Sequence, residues 1–82
     1  MKIAVAGGGA FGTALAVALA LDGKAVTLWA RDADAVATMQ TTRTNPRLEG
    51  VILPDNLTAT NDIVDLFAAD IILLATPAQT LR

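Results

Sequence analysis

Three glycines, Gly7, Gly9 and Gly12, stand in the spacing G-x-G-x-x-G. They lie between an apolar run, Lys2 to Ala6 (KIAVA), and a stretch rich in Ala, Leu and Val, Ala10 to Leu21. In that setting each glycine has its own task. Gly7 permits a tight turn out of a strand. Gly9, with no side chain, lets a phosphate approach the backbone. Gly12 lets the following helix lie close against the strand. The free N–H groups of the helix N-terminus then face an anion, and the helix dipole adds favourable charge. The chemistry this suits is the binding of a dinucleotide pyrophosphate. The glycine pattern alone is weak. Its position directly after a strand, opening a helix, in a βαβ unit of about 30 residues, is what gives it weight. A glycine-rich turn that binds nothing is the competing reading.

A second group lies past the run Ala25 to Trp29 (AVTLW). In dinucleotide-binding folds the tip of the second strand reads the adenosine ribose, and an acidic residue there accepts the 2′-hydroxyl. Here Ala30 follows the run, then Arg31, then Asp32. A small residue with an arginine suits a 2′-phosphate, because guanidinium pairs bidentately with phosphate oxygens. Asp32 competes for the ribose by position, but it is equally placed to cap the next helix. The expected cofactor is therefore NADP or NAD, with the arginine leaning to NADP. A solvated surface arginine is the plainer alternative.

The third group is Thr76, Pro77 and Gln79, after the most apolar segment, Asp70 to Thr76 (DIILLAT). Ligands of open α/β sheets lie over the carboxyl ends of the strands, at the point where strand order reverses. These residues could line the nicotinamide side, or they could form an ordinary strand-to-helix turn with proline near the first helical position.

Little else in the sequence can do chemistry. There is no histidine and no cysteine, which removes the commonest general base, a thiolate metal site and any disulfide framework. The carboxylates fall at helix ends and turns, so no catalytic residue and no metal site is expected. The net charge is −2, without a basic run, which argues against nucleic acid as a partner. Lys2 and the apolar stretch behind it loosely imitate a secretory leader. Glycines interrupt that stretch, and its longest uninterrupted part is too short to span a bilayer. A cytoplasmic setting and no membrane partner are expected.

The elements that must position these residues alternate regularly. Lys2 to Ala6, Ala25 to Trp29, Leu57 to Thr60 and Asp70 to Thr76 read as strands. Ala10 to Leu21 reads as a helix closed by Asp22-Gly23, and Ala33 to Thr42 as a helix capped by Asp32. A third helix, Asp62 to Ala68, is expected with Asn61 or Thr60 as its cap. Arg43 to Asn56 holds Asn45-Pro46, Glu49-Gly50 and Pro54-Asp55-Asn56, and reads as an irregular connection. Strands alternating with helices imply an α/β fold with a parallel sheet, here in the order 3-2-1-4, with helices on both faces. Hydrophobic residues at 54% of the chain suit a sheet buried on both faces.

Taken in order, MKIAVAGGGAFGTALA, VTLWARD, NPRLEG, LPDNLTATND and DIILLATPAQTLR resemble the N-terminal part of bacterial NAD(P)-dependent glycerol-3-phosphate dehydrogenase, over the whole chain. The first block alone would also suit ketopantoate reductases and hydroxyacid dehydrogenases. The resemblance implies a Rossmann-type domain with Gly7, Gly9 and Gly12 in its phosphate loop. It implies that Ala10 and Phe11 contact the dinucleotide, with Phe11 standing where tryptophan is frequent. Arg31 would take part in NADPH binding, and Thr76, Pro77 and Gln79 would lie near the nicotinamide. It implies hydride transfer between NAD(P)H and dihydroxyacetone phosphate. One departure is that Arg47 leads into Leu48-Glu49-Gly50, where the family has an aromatic-Leu-Pro-Gly stretch. The family's catalytic lysine and the groups that grip glycerol phosphate match no residue here. Residues 1–82 are thus expected to be one partial dinucleotide-binding domain without the catalytic and substrate domain, and inactive alone. A stand-alone NAD(P)-binding or regulatory module is the alternative. The strand Asp70 to Thr76 would leave an open hydrophobic edge, so a homodimer or self-association through it is expected.

Overall fold

A computed structural model describes residues 1–7, 9–45 and 50–75. The sheet has four parallel strands in the order β3-β2-β1-β4, as the alternation implies. The chain runs β1 (Lys2–Ala6), α1 (Ala10–Leu21), β2 (Ala25–Trp29), α2 (Ala33–Thr42), β3 (Leu57–Thr60), a 3-10 helix η1 (Ile63–Ala68), and β4 (Ile71–Leu74). β1 is central. Val5 pairs with Leu28 of β2 on one side and with Leu73 of β4 on the other.

Local signals set the element ends. Gly23 takes a positive φ of 94° just past α1, where a side chain would be strained. The Asp32 carboxylate accepts the N–H groups of Asp34 (2.9 Å) and Ala35 (3.3 Å), so Asp32 is the cap of α2. α2 ends at Arg43, a left-handed residue (φ 58°) whose guanidinium donates to the carbonyls of Leu57 (2.7 Å) and Pro54. Near the end of α1, Lys24 pairs with Asp22 at 2.6 Å. That hydrogen bond and the lysine charge hold the exposed Asp22 carboxyl below its ordinary value.

Two elements differ from the expectation. The third helix is a 3-10 helix that starts at Ile63, not an α-helix from Asp62. Its cap is Asp62, which accepts the Val64 N–H at 3.0 Å. Thr60 does accept the Asp62 N–H, and donates its hydroxyl to Asp65 at 2.6 Å. So short a crossover from β3 to β4 tightens its turns instead of adding a long helix. The fourth strand is shorter than expected, Ile71–Leu74. Asp70 stands before it, its N–H on the Lys2 carbonyl (2.8 Å) and its carboxylate on the Lys2 N–H (2.9 Å). Ala75 still donates to the Ala6 carbonyl (2.9 Å), and Thr76 lies outside the described residues.

The core lies almost wholly on one face. Val5, Val26, Leu28, Leu57 and Ala59 meet Ala16, Val17 and Ala20 of α1 and Val36 and Met39 of α2. On the other face, Ala4 and Ala6 meet Leu66 of η1, with Trp29 and Ala69 partly buried beside them. The expectation of a sheet buried on both faces therefore holds only in part. Ile72 and Leu74, beside Ala4 and Ala6 on that second face, are 40% and 78% exposed. No helix among the described residues is long and apolar enough to cross a membrane.

Candidate functional site

The glycine turn joins the carboxyl end of β1 to the start of α1. Gly7 has φ 134°, and a Cβ there would sit 2.7 Å from the Ala75 carbonyl oxygen. Backbone and space both demand glycine. At Gly12 a Cβ would drive into the Gly7 carbonyl oxygen and reach 3.2 Å from the Ala75 Cβ. So Gly12 lets the first turn of α1 lie close against the turn after β1 and against Ala75 past β4. At Gly9 the situation reverses. Its backbone is ordinary (φ −73°), and a Cβ would meet no heavy atom within 4 Å. The space before Gly9 is open.

The helix that begins there is open too. Asp32 caps α2 and Asp62 caps η1, whereas α1 starts at Gly9 with no side-chain hydrogen bond to its first turn. An uncapped helix N-terminus leaves N–H donors facing outward, a ready anion site. Ala10 and Phe11 are exposed at its lip, Phe11 by 71%. Ala75, at the end of β4, touches both Gly7 and Gly12, so the switch between β1 and β4 opens at this turn.

Arg31 lies past the carboxyl end of β2, on the same edge of the sheet. It is exposed, with no hydrogen bond or ion pair among the described residues. Beside it, Asp32 is engaged with α2. Trp29 precedes them, and its indole N–H is buried without a partner among the described residues. Thr76, Pro77 and Gln79 lie outside the described residues. A pocket of about 160 Å³ lies at the opposite end of the sheet, between Lys2, Thr27, Thr58 and Ala69. It is at the amino ends of the strands, away from where ligands of open α/β sheets bind. It belongs to the thinly covered face.

One residue of the site escaped the sequence reading. Asn45 is 2% exposed and its amide donates to the Thr13 hydroxyl at 2.6 Å, joining the α2–β3 connection to the first turn of α1. Asn45-Pro46 reads only as a turn. The available signal was Thr13 itself, the lone hydroxyl in an otherwise apolar helix.

A parallel sheet in the order 3-2-1-4 with a glycine turn at its switch defines a Rossmann-type dinucleotide-binding fold. The chain belongs to the family described as NAD-dependent glycerol-3-phosphate dehydrogenase N-terminus, whose model matches residues 2–82. It is 52% identical over 80 residues to glycerol-3-phosphate dehydrogenase [NAD(P)+] of Bradyrhizobium sp. (strain ORS 278), covering 98% of this chain and 24% of that protein. It is 56% identical over 81 residues to the enzyme of the same name from Methylobacterium radiotolerans, again covering 98% and 24%. The crystal structure of glycerol-3-phosphate dehydrogenase from Coxiella burnetii superposes with a TM-score of 0.83 at 36% identity, over 89% of this chain and 23% of that one. The chain thus spans about a quarter of the length of these relatives.

Proposed function

We propose that this chain is the cofactor-binding part of an NAD(P)-dependent glycerol-3-phosphate dehydrogenase, a cytoplasmic enzyme that interconverts dihydroxyacetone phosphate and glycerol 3-phosphate. The observation that carries the reading is the open, uncapped start of α1 at Gly9, where the other two helices among the described residues are each capped by an aspartate. When bound, the nicotinamide supplies the hydride. The chain's own residues bind and orient. The N–H groups after Gly9 hold the pyrophosphate, with Ala10 and Phe11 at its edge. Arg31 takes the 2′-phosphate, a role supported by its lack of a partner among the described residues and by the use of Asp32 as a cap. For Thr76, Pro77 and Gln79, which lie outside the described residues, a role at the nicotinamide is proposed from the family resemblance alone. Residues 1–82 are a partial domain, and the groups that polarise the carbonyl come from the remaining length of the relatives. The chain alone is expected to show no turnover.

The edge of β4, which pairs with no further strand among the described residues, supports a further partner, a second copy of the chain. Its exposed Ile72 and Leu74 would pair and pack in a homodimer.

The reading is tested by calorimetric titration with NADPH and, separately, NADH. Quenching of Trp29, the single tryptophan, is the parallel readout. The expected result is tighter binding of NADPH, with the preference lost in Arg31→Ala by about tenfold or more, the order of one charge-assisted phosphate contact. An unchanged preference in that variant would remove Arg31 from the site. Absence of binding by either nucleotide would overturn the claim that these residues form a working cofactor site.

A further inference from the structure

We propose that Asn45 is a positioning residue for the glycine turn, acting through Thr13. This inference rests on the nucleotide-binding reading of that turn. The argument starts with a polar group in the wrong place. α1 reads AFGTALAVALAL, and Thr13 is its only polar side chain. Threonine is a mediocre helix former. Here it is fully buried, where an unpaired hydroxyl is costly. The Asn45 amide, itself 2% exposed, meets it at 2.6 Å. Buried polar pairs of this kind favour one arrangement, because separating them costs a hydrogen bond where water cannot readily replace it.

What the pair fixes is the first turn of α1. The Thr13 N–H donates to the Gly9 carbonyl at 2.9 Å, which closes the first turn of the helix over Gly9 to Gly12. Those residues carry the N–H groups that a helix leaves without an intrahelical partner. Asn45 is in turn held to the sheet. Two residues before it, the Arg43 carbonyl accepts the Leu53 N–H at 2.7 Å, and the Arg43 guanidinium grips the Leu57 carbonyl at the start of β3. A chain of contacts therefore runs from β3 through Arg43 and Asn45 to Thr13 and the glycine turn. Gly12 sets how close α1 comes to β1. Asn45 sets how its first turn is rotated and seated.

The test compares the chain with Asn45→Ala, Thr13→Val, their double variant and Thr13→Ser, reading two things. The first is amide hydrogen exchange without nucleotide. Exchange at residues 11–13 should accelerate about tenfold in Asn45→Ala and Thr13→Val, while strands β1 to β3 keep their protection. The second is affinity for NADPH. It should fall about tenfold in each single variant, and in the double by clearly less than the product of the two, since the residues share one hydrogen bond. Thr13→Ser keeps the hydroxyl and should retain affinity. Unchanged exchange at 11–13 in a folded Asn45→Ala would overturn the proposal. So would a uniform loss of protection across the sheet, which marks general destabilisation. If Asn45→Ala does not fold, the contrast of Thr13→Val with Thr13→Ser decides the matter. If the unaltered chain binds no nucleotide, the functional reading falls, and the exchange arm still decides whether Asn45 seats the turn.

Discussion

On one face of the sheet, β-strand side chains from three strands lock against two helices. Leu28, Leu57 and Met39 there are fully buried. On the other face, Ala4 and Ala6 meet one leucine of a six-residue 3-10 helix, and Phe67, Val64 and Leu74 stay largely exposed. The filled face presents aliphatic side chains from β1 to β3, whereas the other sets Thr27, Thr58 and Thr60 among Ala4, Ala6 and Trp29. The two also differ in what covers them. A helix of three turns supplies a continuous apolar stripe, whereas a short 3-10 helix reaches the sheet with a single side chain. The filled face also carries the glycine turn and the Asn45–Thr13 pair. The well-packed side of the molecule is thus the side that positions the candidate site.

The largest effect that would sharpen this contrast is expected at Gly12. A glycine-to-alanine change inside a helix ordinarily gains up to about 1 kcal/mol. Here the new methyl meets the backbone carbonyl of Gly7, in the turn that follows β1. Gly12→Ala should instead cost about 3 kcal/mol or more, a large part of the stability of a small domain. Gly9→Ala is its counterpart. With open space around it and an ordinary φ, it should leave the thermal midpoint nearly unchanged while weakening nucleotide binding. Thermal unfolding of both variants checks the pair. Equal destabilisation would mean that the two glycines do not divide packing from binding.

Next in size is the core itself. Leu28→Ala should cost about 2–3 kcal/mol, because it opens a cavity in a fully buried layer. Leu66→Ala, on the sparse face, should cost about 1–2 kcal/mol, since water can enter where the leucine stood. Denaturant unfolding measures both. A larger loss at Leu66 would reverse the contrast between the faces.

Much of this was legible in the sequence, for local reasons. Gly23 and Asp32 mark the end of α1 and the start of α2, and the apolar runs between turn residues mark β1, β2 and β3. What escaped was set by tertiary contacts. The segment after Thr60 has the composition of an α-helix, and only the short span from β3 to β4 makes it a 3-10 helix. The run IILL announces a buried strand, yet its burial depends on a neighbour that its own residues do not specify. Asn45 meets Thr13 across 32 positions, and no local pattern reports such a pairing. The glycine turn was readable because its steric demands are local to a strand, a turn and a helix.

The smallest expected effect on stability tests the open edge. Leu74 is 78% exposed, so Leu74→Lys removes almost no burial and should change folding stability by no more than about 0.5 kcal/mol. Its consequence should appear instead in association. A lysine on an edge strand blocks strand addition by placing a charge where a second sheet would pack. If copies of the chain pair through β4, sedimentation velocity should show a dimer for the unaltered chain and a monomer for Leu74→Lys. The same substitution should leave nucleotide binding unchanged, because the glycine turn rests on the opposite, filled face. A monomer in both cases at high concentration would end the pairing proposal. It would also sharpen the comparison of the faces, since the exposed apolar strand would then be tolerated without a second copy to cover it.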